Sequence, residues 1–361
     1  MSESADGLAG FVATMGGERS LRVEENLGEG YVRLRVAEAE RRQAKHDIRC
    51  IEDVVIEMLR NARDAGARHI YVATNREGNL RTLVMLDDGS GIPKDMQERV
   101  FEARVTSKLE SVHMDRWGVH GRGMALYSVK ENAESAKVMS SDPGKGSSIR
   151  VVTDASKLAE RADQSTWPSI GEDEDGSACC VRGPHNIVRT CCEFALEERG
   201  TCEVYLGSPA EIAATARARQ KLSVDGSELL FMDGLSELPV LERLHAAADA
   251  SELGSVCSSL GLEMSERTAH RIVSGQVKPQ RSVLARLTHK SGDANAPREV
   301  DLVRDRRGLK ISEKDLGDFC RAVERDFELL AERYYLCLAN DPKVRVGRGK
   351  ITITLDLEER D

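Results

Sequence analysis

Glu57-Met-Leu-Arg-Asn61-Ala-Arg-Asp64-Ala65, and the stretch Asp87-Asp88-Gly89-Ser90-Gly91-Ile92 that follows it, decide how this chain is read. Ile51, Val54, Val55, Met58, Leu59 and Ala62 recur at helical spacing, which predicts a helix over residues 48–65 that ends at Gly66. On that helix Glu57, Asn61 and Asp64 stand at i, i+4 and i+7, on one face. The second stretch closes the apolar run Leu83-Val84-Met85-Leu86 with an acidic pair and two glycines. A carboxylate and an amide on one helix, facing an Asp-Gly turn, suit a magnesium-nucleotide site. The amide oxygen is a ligand for a hard cation, Glu57 can work on a water, and Asp87 can accept from an exocyclic amine.

Outward from these stretches, His69–Thr74 and Arg81–Leu86 alternate as strands about the turn Glu77-Gly78-Asn79. The polar stretch Tyr31–Gln43 carries an Arg/Glu/Ala-rich helical pattern. Gly118-Val-His-Gly121-Arg-Gly123 leads into a helical run, Met124–Asn132. The strands Ala136–Ser140 and Ser148–Thr153 follow, joined by Asp142-Pro-Gly-Lys-Gly146. One helix bearing ligands, a set of strands and glycine-rich turns indicate a two-layer α/β sandwich over residues 1–155.

Glu-x3-Asn-x2-Asp-Ala, Asp-x-Gly-x-Gly-Ile and Gly-x2-Gly-x-Gly, in this order, resemble the three nucleotide boxes of the GHKL ATPases. That superfamily contains DNA gyrase, the heat-shock 90 chaperones, histidine kinases and MutL. The resemblance covers residues 45–155 and implies a Bergerat-type nucleotide fold with ATP and Mg2+ as cofactors. By the same resemblance Glu57 matches the general base that activates the attacking water, and Asn61 the magnesium ligand. Asp64 joins the nucleotide-binding set from the same helical face. Asp87 matches the adenine-reading carboxylate; Gly89 and Gly91 would let the backbone approach the purine. Gly118, Gly121 and Gly123 would wrap the phosphates with backbone N–H groups at the start of a helix. Ser147 stands in Gly146-Ser147-Ser148, where the family usually has Gly-Thr, and Lys108 in Thr-Ser-Lys resembles a MutL stretch. Asp88 departs from the family's common Asn and would put a second carboxylate beside the purine. No lysine of the C-terminal part, Lys343 and Lys350 included, sits in a motif that would make it the phosphate contact some relatives draw from a following domain.

Four segments are expected: 1–160, the nucleotide domain; 161–237, an α/β connecting segment; 238–292, a helix-turn-helix-like segment; and 293–361, a helix and β-hairpin. Ser208-Pro209 signals a helix start. Residues 180–235 and 296–361 are expected to form one C-terminal α/β unit carrying the helical segment. Ser251–Leu287 resembles a helix-turn-helix of phage-repressor type, with Ser265 as N-cap and Gly275 as stop. That resemblance turns Arg267, His270 and Arg271 toward a DNA major groove and sets Lys278 near phosphates. A helical hairpin packed on a partner domain or on its own copy is the competing reading.

With 361 residues the chain has room for several cores, and its net charge of −9 gives no global attraction to nucleic acid or anionic membrane. No basic-then-apolar leader and no long apolar stretch stand in the sequence, which predicts a cytoplasmic protein with no membrane partner. The nine cysteines are accordingly expected as reduced thiols. Three functions compete: an ATP-hydrolysing switch that dimerises on ATP binding and is coupled to DNA or to transcriptional regulation; a MutL- or topoisomerase-like DNA-processing ATPase; and an anti-sigma or histidine-kinase-type protein kinase. Glu57 opposes the last, because histidine kinases generally carry Asn or His there.

Overall fold

The structure, a computed structural model, describes residues 23–36, 38–107, 113–115, 118–120, 123–172, 178–225, 229, 231–292, 313–334, 336–347 and 350–359. The chain divides into two units, Met1–Ala294 and Asn295–Asp361.

The first unit opens with the hairpin β1 (Val23–Gly28) and β2 (Tyr31–Leu34), then α1 (Glu38–Asp47) and α2 (Ile51–Asp64). The strands β3 (His69–Glu77) and β4 (Leu80–Asp87) follow, then two turns of 3-10 helix, Lys94–Met96 and Arg99–Phe101. Next come β5 (Val105–Thr106), β6 (His113–Asp115), β7 (Gly118–His120), α3 (Ala125–Asn132), β8 (Ser135–Ser141) and β9 (Ser147–Asp154). The hairpin β10 (Ser169–Glu172) and β11 (Ala178–Arg182) precedes α4 (Ile187–Glu197), β12 (Glu203–Gly207) and α5 (Pro209–Arg219). Four helices complete the unit: α6 (Val240–Ala246), α7 (Ala250–Ser259), α8 (Glu266–Val273) and α9 (Val283–Gly292).

A five-stranded sheet in the order β12-β3-β4-β9-β8 is the frame, with β12 parallel to β3 and the other neighbours antiparallel. Because successive strand residues face opposite sides, each strand supplies two cores. Ile70, Val72, Leu83, Met85, Ile149, Val151, Val204 and Leu206 pack with the apolar stripe of α2, with α4 and with Val283 and Leu287 of α9. Tyr71, Ala73, Val84, Leu86 and Tyr205 pack the other way, against α5, α6, α7 and α8. The first pair of layers is the expected α/β sandwich, and a further helical layer covers the sheet's second face.

Two segments sit elsewhere than expected. Tyr31–Leu34 is a strand, because β2 has pairing partners in β1 and β5 that outweigh its weak helical pattern. Residues 203–219 and the helices of 238–273 pack with the N-terminal sheet. Backbone bonds tie β12 to β3, and Leu253, Val256, Ala269 and Ile272 are buried with the residues of the sheet's second face. The expected divisions at 160 and 237 therefore run through one packed body.

Local chemistry sets the helix ends. Asp53 accepts from the backbone N–H groups of Arg49 (2.7 Å) and Cys50 (3.1 Å) at the start of α2. Ser208 and Glu211 form a reciprocal capping box on α5, with Pro209 in its first turn. Ser265 accepts from Thr268 N (3.3 Å) to cap α8.

The second unit holds α10 (Glu313–Tyr334), β13 (Leu336–Leu338), β14 (Lys343–Gly347), β15 (Lys350–Thr354) and β16 (Leu357–Glu359). β13 pairs with β16 and β14 with β15, both antiparallel, and Phe327 and Ala331 are buried.

Candidate functional site

Between α2, the end of β4, the segment around residues 100–107 and the start of α3 lies a cavity of about 550 Å3. Glu57, Asn61, Asp64, Asp87, Gly91, Gly123 and Ser147 all line it, so seven of the residues singled out in the sequence meet around one space. Gly118 opens β7, and Lys108 and Gly121 lie outside the described residues.

Asp87 is the floor. It ends β4 on the α2 side of the sheet and is 4% exposed. The antiparallel register sets Ser147 of β9 directly across from it, and the Ser147 hydroxyl donates a short hydrogen bond to Asp87 Oδ2. Gly89 N–H donates to Oδ1 at 2.8 Å. A carboxylate held from both sides by donors is fixed in direction, which is what reading a base edge requires.

Asp88, expected beside the purine, directs its carboxylate to Arg68 and His69 instead. It accepts from the backbone N–H groups of Arg68 (2.7 Å) and His69 (2.8 Å), and His69 Nδ1 lies 2.7 Å from it. The next residue along the chain turns to the opposite side, so this carboxylate closes the α2–β3 connection instead. Burial acts to push Asp88 up, but hydrogen bonds from His69 and Arg68 outweigh it and its carboxyl lies below the ordinary value. The Asp88 partner in turn raises His69.

Two glycines are dictated by close approach. A Cβ on Gly91, at φ +72°, would stand 1.9 Å from the Asp142 carbonyl oxygen, and one on Gly146, at φ +75°, 2.1 Å from that of Asp87. The Asp-Gly turn and the β8–β9 turn are therefore locked backbone to backbone, through Gly144 N to Ser90 O (2.7 Å) and Gly146 N to Gly89 O (3.1 Å). Gly91 thus makes room for the Asp142 backbone while lining the cavity.

On the helical wall, Asn61 Nδ2 is buried with no hydrogen-bond partner. Unmet buried donors are rare and costly, so this amide has an open valence toward the cavity. With the carboxylates of Glu57 and Asp64 on the same wall, the donors are hard oxygens and an amide, which fits Mg2+ and a phosphate chain. Asp64 accepts from Arg63 Nε (2.9 Å), while Arg63 Nη1 reaches Glu198 Oε1 (2.9 Å) just past α4, tying the ligand-bearing helix to its neighbour. Glu57 Oε1 accepts from Arg60 Nη1 at 2.7 Å.

Sequence reading missed several lining residues. Tyr31, Gln43 and Asp47 come from the N-terminal hairpin and α1. Arg104, 2% exposed and at φ +63°, is held by Arg104 N to Gly123 O (2.8 Å) and Leu34 N to Arg104 O (3.0 Å). Its burial had no signal in the sequence, but its place three residues before Ser107 put it within sight of a recognised stretch.

A profile for histidine kinase-, DNA gyrase B- and HSP90-like ATPases matches residues 46–157, the stretch that builds the floor and the helical wall. Residues 46–157 are a GHKL-type ATPase domain. The DNA mismatch repair protein MutL of Thermus thermophilus is 41% identical over 83 residues, covering 23% of this chain and 15% of that protein. MutL of Acidiphilium cryptum is 37% identical over 107 residues, covering 29% and 18%. The chain thus spans less than a fifth of the length of these relatives. A solved structure of full-length ShkA in complex with AMPPNP matches at 14% identity and a TM-score of 0.21, over 44% of this chain and 39% of that one.

Outside the GHKL-type domain, α8 exposes Arg267, His270 and Arg271 and buries Ala269 and Ile272, and Lys278 is exposed in the segment that follows. Glu266 lies 4.0 Å from His270, so the surface is of mixed charge. No helix among the described residues is long and apolar enough to cross a membrane.

Proposed function

We propose that this chain is an ATP-driven conformational switch whose GHKL-type domain binds ATP with Mg2+ and hydrolyses it slowly. The observation that carries the reading is the pairing, in one cavity, of a carboxylate clamped by Ser147 and Gly89 with the unmet amide of Asn61. Asp87 accepts from the adenine amine, and a base presenting an acceptor at that position would be repelled by the carboxylate. Asn61 would hold Mg2+ through its amide oxygen and can donate from its unmet Nδ2 to a phosphate oxygen, and the ion when bound would offset charge on the phosphates. Backbone N–H groups at the start of α3, beside Gly123, receive the phosphates. Glu57 takes the proton of a water as its oxygen attacks the terminal phosphorus; the bond to the bridging oxygen breaks, giving ADP and phosphate.

ATP binding favours a homodimer on this reading, and Arg267, His270, Arg271 and Lys278 form the surface that meets DNA. The MutL relatives favour a second reading, a DNA-processing ATPase, since they are DNA mismatch repair proteins that share the GHKL-type region. Both readings place ATP hydrolysis on Glu57. Glu57→Ala should lower kcat by about 10²–10⁴-fold while retaining ATP binding, read by phosphate release and by calorimetry with and without EDTA. Loss of binding in that variant would remove Glu57 from the role of base. Selection of genomic fragments by the protein with and without ATP tests the surface: enrichment in neither state would turn the output toward a protein partner.

A further inference from the structure

We propose that Arg60 positions the catalytic carboxylate of Glu57, an inference that rests on the hydrolytic reading above. Arg60 is 3% exposed, on a helix whose neighbouring buried positions, Val54, Val55, Met58 and Leu59, are apolar. An arginine is almost never this deeply buried unless its charge is matched. Its side chain lines the same cavity as Glu57 and Asn61, and its Nη1 donates to Glu57 Oε1 at 2.7 Å. The two side chains are 4% and 19% exposed, so the bond is formed largely away from solvent.

Breaking a pair of this kind leaves a buried charge without its match, so the arrangement is demanding to maintain. What it gives is direction. Glu57 reaches the cavity on a flexible stem, and a base must lie within hydrogen-bond reach of the proton it removes. One turn of helix sets Arg60 beside Glu57, and a fork-shaped guanidinium fixes a carboxylate in orientation as well as distance. The cation and the base therefore come from the same rigid helix, and their relation is independent of where any other element moves. Arg60 is not itself assigned a contact with the nucleotide; it acts through Glu57.

The test uses the full-length chain as Arg60→Met, Arg60→Lys, Glu57→Ala and the double variant Glu57→Ala/Arg60→Met, with kcat, KM and affinity for a non-hydrolysable ATP analogue measured for each. Arg60→Met should lower kcat by about 100-fold, the scale of a misplaced reacting group, with analogue affinity held within about threefold. Arg60→Lys, which keeps the charge and loses the fork, should recover roughly a tenth to a third of the wild-type rate. In the Glu57→Ala background, removing Arg60 should change the residual rate by less than about twofold, because residues acting as a unit are not additive. An unchanged kcat in Arg60→Met overturns the proposal. So does an equal fall in kcat and analogue affinity, or a double variant whose loss is the product of the single ones. Should thermal melting show Arg60→Met unfolded, Arg60→Lys decides: a kcat equal to wild type overturns the proposal, and a selective loss supports it. Failure of the underlying reading looks different: Glu57→Ala would then hydrolyse ATP like wild type, whatever Arg60 does.

Discussion

The two faces of the central sheet use the same strands in opposite ways. Toward α2, Asp87 and Ser147 stand at the edge of an apolar core and border an open cavity with Glu57, Arg60 and Asn61. Toward α5–α8, the neighbouring positions are Leu86 and Ser148; Tyr71 and Tyr205 stack with ring centres 4.8 Å apart, and the helices close over them. Along β9 the change takes one residue: the Ser147 hydroxyl donates to Asp87, and the Ser148 hydroxyl donates to Leu260 O at the end of α7 at 2.7 Å. One face leaves the Asn61 amide NH2 unmet beside an open cavity, and the other uses its polar groups to hold the helical layer.

The strongest challenge to that division is a cavity made on the sealed face. Leu253 is 0% exposed, and Leu253→Ala should destabilise the first unit by about 2–5 kcal/mol. Chemical denaturation should show one transition in which α2 and the helical layer melt together; a separate early transition for the helices would break the picture of a shared body. On the open face, Asp87→Asn should cost about 1.5–3 kcal/mol in ATP affinity, roughly 10–100-fold by calorimetry, with much less effect on GTP. Ser148→Ala should lower stability by about 0.5–1.5 kcal/mol and leave ATP affinity unchanged, whereas Ser147→Ala should weaken ATP binding. Identical phenotypes for the two serines would erase the distinction between the faces.

The smallest effect is a pH dependence at the α2–β3 connection. His69 is raised by its Asp88 partner, so its contribution is complete below the ordinary 6.5 and is lost as pH rises through the higher folded value. Asp88 is lowered, so its contribution is complete above 3.8 and is lost as pH falls through the lower folded value. The pair therefore supports the fold fully between those limits. His69→Gln should remove the decline in stability above pH 6.5, an effect of at most about 1 kcal/mol for a partly exposed pair. Thermal melts of both proteins across that range would reveal it.

The floor and the ligand-bearing helix were legible because their signals are local. Glu57, Asn61 and Asp64 follow helical spacing, and Asp87 ends an apolar strand at a glycine turn. Helix caps at Ser208 and Ser265 were legible for the same reason. What escaped depends on distant partners. Tyr31–Leu34 is a strand because Val23–Gly28 and Val105–Thr106 pair with it on its two sides, the latter some seventy residues away. Glu203–Gly207 is a strand whose parallel neighbour, more than a hundred residues earlier, is not written in its own sequence. Asp88 looked like a second base-reading carboxylate until its bonds to Arg68 and His69 gave its direction. The Arg60–Glu57 spacing was visible, yet an i, i+3 ion pair on a helix is ordinarily a solvated one, and only burial distinguishes it.

The edge strand β12 has a practical consequence. Common ancestry is detectable over residues 46–157, but the hydrogen-bonding partner of β3 lies at Glu203–Gly207, and the covering of Tyr71, Val84 and Leu86 comes from later still. A fragment trimmed to residues 46–157 alone would bare a long strand edge and a greasy sheet surface, the two features that make a polypeptide stick to its own kind. Heredity and cooperativity draw different borders here, and anyone cutting this protein should follow the second.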